Sequence, residues 1–551
     1  MNALVPLPVL LPLCATGLSL AFGTRLKQFQ RFISVAVLTA VLGLSVTLMI
    51  GADMNGPLTV HLGDFAPPLG ITLVADRLSG LMLTVSSAVT LCVLVYSLGQ
   101  GMADRDEETP VAVFHPAYLI LVAGVSCTFL AGDLVNLYVG FEIMLVASFV
   151  LLTLGGTGPR IRAGSTYVII SLFSSMLFLT AIAMTYAATG TANFAQLAVR
   201  LAELPLGVQT LIQAMLLTVF AIKAAVFPLA AWLPDSYPTA PAPVTAVFAG
   251  LLTKVGVYCM LRTETLLFPG NRLGDLLMAA ALASMIVGIL GAVAQTDLKR
   301  LLSFTLISHI GYMVFGIGLA TRESYGGAIV YVVHHITVQT TLFLVAGLIE
   351  RRGGTTELTR LGGIAKAAPL LAVLFFVPAM NLAGIPPLSG FIGKLGLMRA
   401  GVADGGVWAW ILVIGSAVTS LLTLYVIAKV WNLAFWRAAP PGQAIDGTVL
   451  ESDDDSDEDD SDYGPDGMPG TGDEGVRLRH QPAGLAVAAT LHGHAVTTTT
   501  RLPRLMTWAT AATVALGLAF TVFAGPLTSY TDRSAAELIA RTPYIEAVLG
   551  R

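Results

Sequence analysis

Apolar residues run along this chain in long, unbroken stretches and not in alternation. Stretches of about 20 residues, the length a helix needs to cross a bilayer, recur about fourteen times. They fall at 3–22, 30–50, 78–99, 112–130, 134–154, 165–189, 208–231, 241–262, 273–294, 300–320, 326–349, 367–399, 407–431 and 505–525. Continuous apolar runs predict helices, since a membrane barrel would show a period of two. The predicted fold class is an all-α polytopic membrane protein with about fourteen transmembrane helices. The first run lacks a positive leading region and is long enough to remain as a span, so it is not read as a secretory signal.

One segment leaves this pattern. Residues 437–503 contain ESDDDSDEDDSD (451–462) and then a Gly/Pro-rich stretch. Such a composition buries too little apolar area to offset chain entropy, and predicts a disordered cytoplasmic loop before the last span. It has no EF-hand spacing, so no calcium site is expected. Composition agrees with the pattern: 55% of residues are hydrophobic, 12% are charged, and the mean hydropathy is +0.78. The four cysteines (Cys14, Cys92, Cys127, Cys259) lie in apolar runs without C-x-x-C spacing and read as packing residues. Arg and Lys concentrate in the loops after spans 1, 5, 9 and 11, which places those loops in the cytoplasm and both termini outside.

The few charges inside the apolar runs carry the chemistry. Four of the seven lysines lie there: Lys223, Lys254, Lys394 and Lys429. Glu142 lies in the fifth run. A charge at mid-membrane costs at least about 2.5–3.5 kcal/mol, so such groups are expected to work as buried, titratable sites. Burial disfavours a charge on either an acid or a lysine, and facing each other, Glu142 and Lys223 would restore both charges. Lys429, about one turn from its span end, reads as a side chain reaching back to the interface. His334 and His335 in span 11 suit a proton relay. Adjacent residues point to different helix faces, so one of the two is expected to contribute. His309 in span 10 is a secondary relay candidate, as is Lys429.

Helix breakers accompany two of the lysines. Pro228 follows Lys223, and Pro386 and Pro387 precede Lys394. Proline removes a backbone donor, and the freed carbonyls need water or side-chain partners in lipid. Paired breaks in two halves of a chain point to an ion site in repeat-built transporters. There is no nucleotide loop, dinucleotide turn, haem pair or iron–sulfur cysteine set, so no cofactor or metal is expected. Nor is a nucleic-acid partner. Energy must come from an ion gradient, a voltage or a redox partner.

FAIKAAVFPLAAWLPDSYPTAPAPVTAVFAGLLTKVGVY (220–258), QTDLKRLLSFTLISHIGYM (295–313) and GIPPLSGFIGKLGLM (384–398) resemble one known module. It is the proton-antiporter-like module shared by respiratory complex I membrane subunits and Mrp-type cation/proton antiporters. DLVNLYVGFEIMLVASFVLLTLGG (133–156) and TPYIEAVLG (542–550) look most like the D-type subunits of Mrp antiporters. The resemblance covers about residues 70–432. It implies two inverted five-helix repeats with helices 7 and 12 broken, and divides the chain into 1–110, 111–264, 265–436, the 437–503 loop and 504–551. It implies a relay from the Glu142–Lys223 pair through Lys254 and a span-11 histidine to Lys394. It also implies a bacterial inner-membrane location, Na⁺ or another monovalent cation exchanged for protons, and A-, B-, C-, E-, F- and G-type partner subunits. Two departures stand out: Gln339 where the family often has lysine, and the length of the acidic insertion. A redox-driven pump component of an NADH:quinone oxidoreductase or membrane-bound hydrogenase would share the relay. A scaffold would use the buried charges only to pair helices.

Overall fold

The computed structural model describes residues 1–22, 27–100, 111–438, 488–491, 494–497 and 502–550. Thirteen of its helices are long and apolar enough to cross a membrane. These are Asn2–Ala21, Gln28–Asn55, Arg77–Gln100, Val113–Leu130, Leu134–Thr153, Gly158–Thr189 and Leu206–Ala224 in the first half. Ala242–Leu267, Gly274–Ala294, Leu298–Leu319, Arg322–Gly353, Val407–Trp436 and Arg504–Val522 follow. The predicted twelfth span is absent from this set because it is two helices, Pro369–Ala383 and Ser389–Asp404. Counting it as span 12 gives the fourteen crossings that the apolar pattern predicts.

Spans 8, 10 and 11 are buried almost throughout, while spans 1, 2 and 14 bury only about a third of their apolar stretch. The polar intramembrane residues therefore sit on helices enclosed by other helices. A short antiparallel ribbon, Leu58–His61 with Thr72–Ala75, closes the ends of spans 2 and 3. Two helices after span 14, Ala524–Ala540 and Thr542–Leu549, fold back over this same face. A second ribbon pairs Ala488–Leu491 with His494–Thr497. Residues 439–487, 492–493 and 498–501 of the predicted loop, including its acidic run, lie outside the described residues.

One local arrangement occurs twice. Asp133 caps span 5 by accepting from the Asn136 amide at 2.7 Å, and Asp297 caps span 10 by accepting from the Arg300 amide at 2.8 Å. Each capping residue is bridged to the chain that leaves the following span, Asp133 to Asn193 and Asp297 to Glu357. The flanking bonds match: Leu134 N to Ala192 O and Leu298 N to Thr356 O, both 2.9 Å. The same offset separates Asp133 from Asp297 and Asn193 from Glu357. With five crossings between them, the two copies face opposite sides of the membrane, which is what an inverted repeat requires.

Both predicted breaks exist. Span 7 leaves the helix at Ala225, whose φ of 58° is left-handed, three residues before Pro228 and earlier than the predicted end at 231. In span 12 the first half ends at Gly384, φ 84°, and Pro386 and Pro387 occupy the gap before Ser389. Span 8 presses on the first break. A Cβ added at Gly256 would lie 2.6 Å from the Ala224 backbone nitrogen. Gly256→Ala is expected to lower stability by about 1–3 kcal/mol through overpacking. An unchanged melting temperature of the purified assembly would show that this contact is soft.

Candidate functional site

Irregular helix ends place the lysines. Lys223 lies in the last turn of span 7, where the helix dipole favours a cation. Its Nζ is 3.5 Å from both Ser171 O and Ser175 Oγ and lies 5.5 Å from the centre of the Phe141 ring. Beside it is a cavity of about 30 Å³ lined by Phe141, Tyr167, Ser171, Lys223, Trp232 and Tyr237, room for a water or two. Glu142 follows Phe141 on span 5. Its carboxylate lies within electrostatic reach of Lys223, and its buried Oε1 has no hydrogen-bond partner. The two groups do not close an ion pair among the described residues: Lys223 is turned toward span 6.

Lys254 is fully buried. It follows a wide π turn, Phe248–Leu252, and donates to the Ala249 carbonyl inside that turn. A wide turn leaves its carbonyls off the regular i→i+4 ladder, which gives the ammonium an acceptor without a counter-ion. The Thr253 hydroxyl next to it has no partner.

A stack of rings lies between Lys254 and Lys394. His335 has no hydrogen-bond partner at either ring nitrogen, and stacks on His309 with centroids 5.2 Å apart. His309 Nδ1 is 2.5 Å from the Tyr331 hydroxyl, and the Tyr331 ring neighbours Tyr312 and His334 at 5.3 and 5.4 Å. His334 Nδ1 is 3.0 Å from Ser389 Oγ, at the start of the second half of span 12. The charges of Lys254 and Lys394 both reach His309 and His335. His334 and His335 point to different helix faces, as expected, and both rings join this stack. Span 11 is enclosed on every side, so one histidine meets span 10 and the other meets span 12. His309, expected as secondary, stands at the centre.

Lys394 is the far end of this row. Its Nζ donates at 3.1 Å to both Leu382 and Ala383, the last carbonyls before the span-12 break, and lies 5.0 Å from the Tyr312 ring centre. Asn381 ties the two half-helices together. Its Oδ1 accepts from the Gly390 amide at 2.8 Å, and its Nδ2 donates to Ser389 Oγ at 3.2 Å. Gly390 leaves no room for a side chain, since an added Cβ would lie 2.0 Å from Asn381 O.

Lys429 reaches the end of a neighbouring span. It donates to Val293 and Gln295 carbonyls at 2.9 and 2.8 Å, at the C-terminal end of span 9. Its bonds are those of a helix cap. Gln339 donates to Leu302 O at 2.8 Å and so joins spans 10 and 11. Sequence reading missed Tyr331, although it lies four residues before His335 and hence on the same helix face. It also missed Asn381 and Ser389. All four cysteines are free, and no group of three metal-ligating side chains assembles among the described residues.

Residues 131–423 match the family described as NADH:quinone oxidoreductase/Mrp antiporter, transmembrane. The chain is 42% identical over 440 residues to the D-type Na⁺/H⁺ antiporter subunit of Alkalihalophilus pseudofirmus, covering 79% of this chain and 87% of that protein. It is 36% identical over 439 residues to the protein of the same name from Bacillus subtilis, with the same coverage. Among solved structures it is similar to a chain of the Mrp complex from Dietzia sp. DQ12-45-1b, with a TM-score of 0.84, 30% identity and full coverage of both chains. A chain of respiratory complex I from Thermus thermophilus shares the fold, with a TM-score of 0.73 at 23% identity, covering 97% of this chain and 99% of that one. The family match spans both helix breaks, Lys223, Lys254, Lys394 and the histidine stack between them: this polytopic membrane protein belongs to the NADH:quinone oxidoreductase/Mrp antiporter family.

Proposed function

We propose that this chain is the D-type membrane subunit of a multisubunit monovalent cation/proton antiporter, and that it conducts the protons. The observation that carries this reading is the row Lys254, His335, His309, Tyr331, His334 and Lys394. These are proton-exchanging groups held on spans 8, 10, 11 and 12, buried from lipid, and no acid pairs with them among the described residues. An arrangement built only to staple helices would pair each cation with a carboxylate. Here backbone carbonyls at helix irregularities hold the ammonium groups, and these do not fix the proton.

Protons enter from the face that carries both termini, which is the outside of the bacterial inner membrane. They pass Glu142 and Lys223 through the small cavity, then Lys254 and the rings, and leave past Lys394. Glu142 and Lys223 gate the path by approaching and parting. Residues 111–264 and 265–436 are the two repeats, each carrying one broken helix. The membrane potential supplies about 2.3 kcal/mol per charge at 100 mV. That is enough for inward protons to drive Na⁺ outward through a neighbouring chain of the complex. The partners are the remaining A-, B-, C-, E-, F- and G-type subunits. The likeness to complex I supports a second reading, the same relay driven by a redox enzyme, and the identity of co-purified subunits separates the two.

Glu142→Gln and Lys223→Ala in an antiporter-deficient host test the gate. Each is expected to abolish salt tolerance and proton-coupled Na⁺ flux while leaving the complex assembled. Normal flux in both would end this reading.

A further inference from the structure

The row described above leaves one buried acid unexplained. Glu264 lies in a second π turn, Thr263–Leu267, at the outer end of span 8. It is only 3% exposed. It forms no ion pair among the described residues. Its one side-chain partner among the described residues is the Gln213 amide of span 7, whose Nε2 lies 2.9 and 3.1 Å from the two carboxyl oxygens. Gln213 is 1% exposed, and its own Oε1 has no partner. A carboxylate buried with one neutral donor is costly to keep charged, so the site calls for a ligand that removes that charge.

Gln213 also lines a cavity of about 430 Å³ on the face that carries the termini. Glu264 is thus one side chain away from that cavity. Two guanidinium groups border the same space, and neither reaches the acid. Arg272 donates to Gln209 at 2.8 Å, and Arg541 donates to the Ala198 and Leu266 carbonyls at 2.6 and 2.9 Å. No group of metal-ligating side chains gathers around Glu264 among the described residues, which leaves a proton as the fitting ligand. Other titratable groups near the acid are engaged elsewhere or neutral. Arg262 pairs with Asp76, Glu537 with Arg77, and Arg200 donates to Thr189 O. Tyr325 of span 11 faces Glu264 as a neutral phenol.

We propose that Glu264, held by Gln213 behind this cavity, is a proton-collecting site at the outer mouth of the membrane domain. The carboxylate takes a proton from cavity water and becomes a neutral acid, and the reverse step returns it to water. Glu264 lies ten residues beyond Lys254 on the same helix, about 15 Å along the axis. It therefore precedes the gate and is not one of its members. As a part of transport this inference rests on the antiporter reading, but protonation of the site does not.

The test uses the whole complex, purified and reconstituted in vesicles. Glu264→Gln is expected to cut proton-coupled Na⁺ flux by about one to two orders of magnitude at alkaline external pH. Flux should converge on the wild-type rate at acidic external pH, where protons are plentiful. Glu264→Asp should restore most of the alkaline activity. Independently of transport, the pH-difference infrared spectrum should lose one protonated-carboxyl band in Glu264→Gln, and Gln213→Leu should move that band by removing its hydrogen bond. A wild-type spectrum in Glu264→Gln, or a loss of flux equal at every pH, overturns the proposal. If Glu264→Gln does not assemble, an unmoved band in Gln213→Leu overturns it. If the band behaves as expected but Glu142→Gln and Lys223→Ala transport normally, the antiporter reading fails and the protonation site stands.

Discussion

Lys254→Arg is expected to reduce proton-coupled Na⁺ flux by at least about 100-fold, in a complex that still assembles. Arginine keeps the positive charge and can still donate to the Ala249 carbonyl, so any role in pairing helices or shaping the local field survives. What arginine cannot do is give up its proton. Lys254→Ala should lose flux to the same extent for a different reason, since it removes both charge and donor. The comparison separates a relay from a scaffold: a scaffold is tolerant of Arg and damaged by Ala, and a relay is stopped by both. Native-gel size and vesicle flux, measured on the same preparations, decide between them. Wild-type flux in Lys254→Arg would remove Lys254 from the path.

Arg262→Ala is expected to destabilise the protein by about 3–5 kcal/mol. Arg262 on span 8 pairs with Asp76 at 2.6 Å, with side chains only 5% and 2% exposed. Asp76 caps the start of span 3 and also accepts from the Ser79 amide at 2.9 Å and hydroxyl at 2.8 Å. The guanidinium lies 5.5 Å from the Tyr258 ring centre and 5.2 Å from that of Tyr544 in the last helix. One side chain therefore joins span 8, the head of span 3 and the C-terminal segment. Its removal strands a buried carboxylate. Replacing Asp76 and Arg262 together by leucine should recover much of the loss, because the stranded charge disappears with its partner. Yield of assembled complex and its thermal midpoint provide the readout. Equal damage in single and double variants would mean that the pair matters for shape and not for charge.

The two sites differ in how far the amino-acid sequence reveals them. Span lengths and the span-12 break are visible in it, because twenty-residue apolar runs and a Pro-Pro pair act locally. The proline pattern puts the span-7 break at Pro228, yet the chain turns at Ala225, where span 8 packs through Gly256 and leaves no space for another turn. The repeat is visible in principle, since GDL at 132–134 and TDL at 296–298 both place an aspartate before the first leucine of a span. The histidine stack is not, because the packing of span 10 on span 11 brings His309 to His335 and no spacing along one helix encodes it. The same holds for Lys429, whose acceptors belong to the end of span 9, and for Arg262 and Asp76, which meet from distant parts of the chain. Residues that act through local helix geometry are readable, and those that act through a neighbour from another span are not.

In the proposed relay, the way Lys394 is held has a consequence for how often the path could cycle. An ammonium group has three hydrogens, and Leu382 and Ala383 use two of them. The third is spare. When it departs, the amine keeps both anchoring bonds and exposes a lone pair where the hydrogen had been. In that relay the half-helices of span 12 need not come apart each time the charge moves on, and the nitrogen gains an acceptor lone pair while its two donor bonds stand still.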